Sequence, residues 1–183
     1  MRQTIFFAVL VLFSSNLTAQ MPQGFTKSAK IYLVRHAEKD TGNNPVLTAD
    51  GRKRAGDLMR VLKSKNIQRI YVTPYKRTQM TGDSMRLQLG IDTVLYKADT
   101  TGVDIYNTIL ARGDGNKTIL IIGHSNTVPK IIKKLGGEDV PAVTIPDAVF
   151  DNLYLIKYKR KKAVLKSMKY GSPSGIAAPM QKS

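Results

Sequence analysis

The sequence predicts an α/β three-layer sandwich with a mostly parallel central sheet and a C-terminal β-hairpin. Three observations lead there. The runs KIYLV (30–34), RIYV (69–72), DTVLY (92–96) and TILII (118–122) are compact, rich in β-branched, aliphatic and aromatic residues, and too short for helices. Stretches with apolar residues at helical spacing separate them, and strands alternating with helices pack as a parallel sheet covered on both faces. Beyond residue 150 the pattern changes to two strand-like arms around a basic tip.

The elements follow in order. The first 19 residues, MRQTIFFAVLVLFSSNLTA, have Arg2, an apolar run from Ile5 to Phe13 and a small residue at Ala19, the layout of a secretory signal peptide. The apolar run is about half of the roughly 20 residues that a membrane span needs. The mature protein is therefore expected outside the cytoplasm, periplasmic or secreted. Residues 20–29 read as a linker and 30–170 as one catalytic domain. After the first strand, DTGNNP (40–45) is turn chemistry. Thr48 is the expected N-cap of a helix whose apolar face is Ala55, Leu58, Met59 and Leu62. TPYKRTQMT leads from the second strand into a helix ending near Gly90, and a modest helix runs through Ile105, Ile109 and Leu110. NTVPKIIKKLGG (126–137) is a short helix, with Pro129 in its first turn and glycines at its end. Residues 152–170 form the hairpin, with Lys159, Arg160, Lys161 and Lys162 at its tip, and residues 171–183 read as a mobile tail.

Composition narrows the chemistry. The 183 residues suffice for one domain. There is no cysteine, which excludes disulfides and thiolate metal sites, and two histidines leave little material for a transition-metal centre. No metal or other cofactor is expected. The 29 Lys and Arg against 13 Asp and Glu give +16, and removing a leader that contains Arg2 leaves +15. Such a field attracts anions without choosing among phosphorylated molecules, nucleic acid and anionic surfaces.

The two histidines make that choice. His36 in YLVRHAEKD and His124 in ILIIGHSNT lie 88 positions apart, each where an apolar run ends. Ligands of open α/β sheets bind outside the carboxyl ends of the strands. If those two strands are neighbours, the imidazoles face one another there. Arg35 adjoins His36, and Arg77 follows the second strand on the same edge. Arginine is suited to bidentate recognition of phosphate. The helix after His124, beginning near Ser125–Thr127, would turn its free N–H groups toward the same point. Singly, each piece is explicable as packing or a surface charge; together they describe an anion site suited to a phosphoryl group.

These segments resemble a known family. LVRHAEK is similar to the Arg-His signature of the histidine phosphatase superfamily, the phosphoglycerate-mutase-like fold. VLTADGRKRA resembles its Leu-Thr helix start with a glycine three residues on. VTPYKRTQMT resembles its second-arginine segment, and ILIIGHSNT its second-histidine motif. The resemblance covers roughly residues 30–135 and is nearest the short one-domain bacterial branch. It implies that His36 is the nucleophile and forms a phosphohistidine. It also implies that Arg35, Arg77 and His124 hold the phosphoryl oxygens.

The leaving oxygen usually takes a proton from a carboxylic acid. The resemblance places that donor between the second arginine and the second histidine, where Asp83, Asp92, Asp99, Asp104 and Asp114 stand. Asp99, just after the third strand on the active edge, is favoured. Asp104 is next, and Glu38 is the local alternative. Without any donor, substrates with good leaving groups such as phosphohistidine or aryl phosphates are expected. Asn126 reads as a helix cap rather than a substrate contact.

The leading reading is an exported, metal-independent phosphomonoesterase acting on a phosphorylated small-molecule or envelope substrate. The alternatives are phosphoglycerate-mutase-type phosphotransfer and a non-catalytic binder of phosphorylated glycans or lipids. The hairpin tip offers only Tyr158 for base stacking, so no nucleic-acid partner is expected. Contact of that tip with an anionic surface remains open.

Overall fold

The strand with the strongest sequence signal sits at the centre of the sheet. The computed structural model describes residues 21–140, 142–160 and 162–175. The expected signal peptide, Lys161 of the hairpin tip and residues 176–183 lie outside the described residues. The elements are β1 (Lys30–Arg35), α1 (Ala49–Leu62), β2 (Arg69–Val72), α2 (Lys76–Leu89), β3 (Thr93–Leu95), α3 (Val103–Ala111), β4 (Thr118–Gly123), α4 (Val128–Lys134), β5 (Asn152–Lys159) and β6 (Lys162–Lys169). A 3₁₀ turn, Lys63–Lys65, extends α1. The sheet order is β3-β2-β4-β1-β5-β6. The first four strands of this order run parallel to one another, and the β5–β6 hairpin joins β1 antiparallel.

Alternation along the strands builds the two outer layers. Ile31, Leu33, Ile119 and Ile121 face one side, where Ile105 and Ile109 of α3 and Val128, Ile131 and Ile132 of α4 cover them. Tyr32, Val34, Leu120 and Ile122 face the other, against Leu58 and Leu62 of α1 and Met85 of α2. β4 is buried along its whole length, as a central parallel strand under helices on both sides must be. The expected sandwich is the observed one.

Local chemistry sets the helix starts. Thr48 caps α1, its Oγ1 accepting from the Gly51 amide at 3.1 Å. A side chain at Gly51 would collide with the carbonyl of Glu38, so this glycine lets the start of α1 press on the segment that follows β1.

Several boundaries differ from the sequence reading. β3 is trimmed to three residues at the sheet edge, and α4 to seven. Residues 21–29, read as a linker, place Phe25 and Ala29 in the core, and the Thr26 amide bonds the Gly115 carbonyl at 2.9 Å. Residues 171–175, read as the start of a mobile tail, are bonded to the domain. Arg54 donates to the carbonyls of Tyr170 and Ser172, and Ser174 Oγ accepts from the amides of Phe150 and Asp151. The packed domain is thus wider than 30–170. The segment between α4 and β5 returns across the carboxyl ends of β1 and β4, where the Ile145 amide bonds the Ser125 carbonyl.

Candidate active site

One register pair brings the histidines together. Arg35 and Gly123 are opposite each other at the ends of β1 and β4, so His36 and His124 are the next residues out on adjacent strands. The His36 amide donates to the Gly123 carbonyl at 2.9 Å. The two rings stand 5.5 Å apart, near edge-to-face, and both are buried.

Hydrogen bonds assign each ring a tautomer. Nδ1 of His36 lies 2.8 Å from the Ala37 carbonyl, which only accepts, so Nδ1 carries the proton and Nε2 keeps its lone pair. His124 is the reverse. Its Nδ1 lies 3.3 Å from a guanidinium nitrogen of Arg77, which only donates, so Nδ1 accepts and Nε2–H faces Thr73 Oγ1 at 3.1 Å. Burial pushes His36 down to about 3. The bond to Ala37 opposes that shift, while Arg35, His124 and Arg77 add to it. Burial pushes His124 down to about 4, and Arg77 and Arg35 add to the shift. Both imidazoles are therefore neutral at neutral pH, the state in which an imidazole is a nucleophile.

The arginines are held by different means. Arg35 donates through one terminal nitrogen to the carbonyls of Pro146, Asp147 and Val149 at 2.9, 2.9 and 3.2 Å. Its guanidinium also lies 4.2 Å from the Phe150 ring centroid. Arg77, in the first turn of α2, stacks 4.4 Å from the Tyr75 ring centroid, and that ring meets His124 edge-on at 5.2 Å. The Nε atoms of Arg35 and Arg77 are buried without a partner among the described residues. Leaving a buried donor unpaired costs on the order of 1–3 kcal/mol.

The favoured acid is not at the site. Asp99 accepts from the amides of Thr101, Gly102 and Asp104 and from the Thr101 hydroxyl, which makes it the capping group ahead of α3. Burial raises its pKa, but those bonds outweigh burial and hold the carboxyl below the usual carboxylate range. A general acid requires the opposite shift. Asp104 accepts from the Lys97 amide at 2.6 Å. Glu38 is gripped by Arg54 Nε and a terminal nitrogen at 2.7–2.9 Å, on the far side of the segment after β1. Asp83 and Asp92 pair at the surface with Arg86 and Arg69, and Asp114 is buried against Tyr71 and Lys117.

A cavity of about 490 Å³ contains the four expected residues Arg35, His36, Arg77 and His124. Its wall adds residues the sequence reading did not assign to the site, among them Lys39, Tyr75, Thr100 and Asp147. Asp147 is the carboxylate on this wall, its side chain 98% exposed and 3.7 Å from Arg35. Asn126 lines the cavity and does not cap α4, whose first residue is Val128 and whose start has no side-chain cap. The amides of Thr127 and Val128 turn back to the His124 carbonyl, so these two do not offer the free N–H groups expected there. Among the described residues, no group of three potential metal ligands gathers, and no helix is long and apolar enough to cross a membrane.

A pair of neutral histidines flanked by two arginines, at the carboxyl edge of a parallel sheet, makes a site whose chemistry suits a phosphoryl group. The family model described as histidine phosphatase superfamily (branch 1) matches residues 31–98, the segment that carries Arg35, His36 and Arg77. Over that segment the chain is similar to the histidine phosphatase superfamily. Solved structures share the fold. SixA of Agrobacterium tumefaciens, assigned as a phosphohistidine phosphatase, aligns with TM-score 0.56 and 19% identity over 80% of this chain and 99% of its own. A protein of Escherichia coli K-12 MG1655 assigned as an alpha-ribazole-5'-P phosphatase gives 0.61 and 15%, over 81% and 99%. A mutant phosphoserine phosphatase of Entamoeba histolytica, in complex with phosphoserine, gives 0.54 and 16%, over 79% and 97%. At these identities the likeness is one of fold. No curated protein matches the chain by sequence.

Proposed function

We propose that the protein is a phosphomonoesterase that works through a phosphohistidine on His36. The observation that carries this reading is the 2.8 Å contact of Nδ1 with the Ala37 carbonyl, which fixes the proton on Nδ1 and leaves the Nε2 lone pair for attack. Nε2 attacks phosphorus, a P–N bond forms, the P–O ester bond breaks, and the alcohol oxygen departs with the bonding electrons. A water oxygen then attacks phosphorus from the opposite side, the P–N bond breaks, and inorganic phosphate leaves with His36 neutral again. Arg35 and Arg77 offset the charge that spreads over the phosphoryl oxygens in both transition states. His124, held by Arg77 and Thr73, forms the second wall of the site.

The acid in this reading is water or a weakly placed carboxylate. Asp99, Asp104 and Glu38 are committed to bonds elsewhere, and the Asp147 side chain stands exposed to water 3.7 Å from Arg35. Substrates whose leaving group departs without a proton are therefore preferred. Turnover of p-nitrophenyl phosphate, undiminished by EDTA and inhibited by vanadate, is the expected result for the purified protein. A protein that binds inorganic phosphate without turning over p-nitrophenyl phosphate would be a binder instead.

The reading extends to place. The layout of residues 1–19 supports export to the periplasm or the medium, with phosphorylated small molecules or envelope components as substrates and peripheral contact of the basic hairpin with an anionic surface. N-terminal sequencing of the protein recovered from the native host should begin just after Ala19; an intact Met1 end would remove this part of the reading.

A further inference from the structure

Beside the histidine cavity lies a second, larger groove of about 740 Å³, and the two share Tyr75 and Ala98 as a common wall. Pro74, Leu95 and Thr108 also line it. Leu95 is 58% exposed and Tyr75 is 42% exposed, so both present side-chain surface to the groove. The floor is Tyr96, buried, with its hydroxyl bonded to the Ile122 carbonyl at 3.2 Å.

Several polar groups around the groove already have partners, while the exposed Lys97 ammonium on its wall has none among the described residues. The side-chain oxygen of Asn44 accepts from the Lys76 amide at 2.9 Å. Asp104 accepts from the Lys97 amide, and the Thr108 hydroxyl donates to the Asp104 carbonyl at 2.8 Å. With those groups satisfied, the groove offers apolar and aromatic surface with the cationic Lys97 on its wall; the usual make-up of a small-molecule site is apolar lining with a few polar groups. Tyr75 is fixed from the phosphoryl side by Arg77 stacked on its ring and by the edge contact with His124. Its ring is thus a rigid partition between the arginine pair and the groove.

We propose that this groove is the leaving-group subsite, and that it takes the ring of an aryl phosphate between Tyr75 and Leu95 while the phosphoryl group sits beside His36. The assignment rests on the phosphatase reading and deepens it to a substrate class. Two independent features point to the same class: a groove of apolar and aromatic lining, and the lack of a poised carboxylic acid, which aryl oxygens tolerate better than alkyl oxygens do.

The test separates binding from turnover. Affinities of 2-naphthylmethylphosphonate and methylphosphonate, neither of which can be hydrolysed, are measured by calorimetry on the wild type and on Leu95→Ser. Burying the bicyclic ring should make the naphthyl compound bind about tenfold or more tightly in the wild type. In Leu95→Ser that preference should fall severalfold while methylphosphonate affinity holds, because Leu95 lines the groove and not the phosphoryl cavity. Equal affinities in the wild type, binding of neither compound, or a preference that survives Leu95→Ser undiminished would overturn the subsite. If the naphthyl preference is found and no aryl phosphate is turned over, the groove stands and the phosphatase reading falls.

Discussion

Arg35 and Gly123 are register partners at the ends of β1 and β4, and from that pair the positions of His36 and His124 follow. The sheet itself, rather than a loop, sets their separation. Sites carried on strand ends hold their geometry better than sites carried on loops, which suits a reaction that asks one nitrogen to stay in line with phosphorus.

The depressed histidines predict the pH behaviour. His36 and His124 take up protons near 3 and 4, well below the ordinary 6.5. After correction for the substrate's own second ionisation, kcat/KM should show no inflection between pH 5 and 7, and an acid limb should appear only below about pH 4. An inflection near 6.5 in the corrected kcat/KM profile would contradict a buried neutral nucleophile.

The same groups bear on stability. The unfolded chain protonates its histidines near 6.5 while the folded chain does so only near 4 and 3, so the unfolded state binds more protons in between. The histidine contribution to unfolding free energy should decline as pH falls from about 6.5 through 4 toward 3. Urea midpoints of the wild type and of His36→Ala read this directly, and the variant should lose part of the slope.

Asp99→Ala should cost about 1 kcal/mol of stability, as loss of a helix-capping group does. It should leave the ratio of alkyl to aryl phosphate turnover nearly unchanged, because its carboxylate bonds the amides ahead of α3. A selective collapse of alkyl phosphate turnover, set against a small change in Tm, would return Asp99 to the role of proton donor.

Arg35→Lys should reduce kcat/KM by about a hundredfold or more, the scale on which one preorganised charge donor acts. An ammonium cannot reproduce the planar donor set that bonds three carbonyls of the 146–149 stretch and stacks on Phe150. Faster proteolytic cleavage near residues 146–150 should accompany the loss. A variant with near-native activity would mean that the guanidinium serves this stretch and not the substrate.

The fold and half of the site were legible because they depend on periodicity and position. Strand-like runs of four or five residues named the four parallel strands, Thr48 announced α1, and histidines at strand exits named the candidate edge. What was hidden depended on tertiary contact. The stretch after α4 has no repeating pattern, so nothing in it announced that its carbonyls would clamp Arg35 or that Asp147 would reach the cavity wall. The sequence could not separate two roles for Asp99, because a carboxylate after a strand serves equally as acid or cap. The signal that separates the two was present: Asp99 is followed by Thr101 and Gly102, turn and capping chemistry at the start of a helix. Phe25 and Ser174 lie in stretches of small, polar and proline-containing residues, where an isolated packing or bonding residue carries no period.

The most direct test of the account is the site of the covalent intermediate. The protein is mixed with p-nitrophenyl phosphate, quenched in base within the turnover time, digested and analysed by mass spectrometry. The account predicts a phosphoryl adduct on His36, stable in base and labile in acid, and absent together with activity in His36→Ala. An adduct on any other residue, or turnover that persists in His36→Ala, would contradict it.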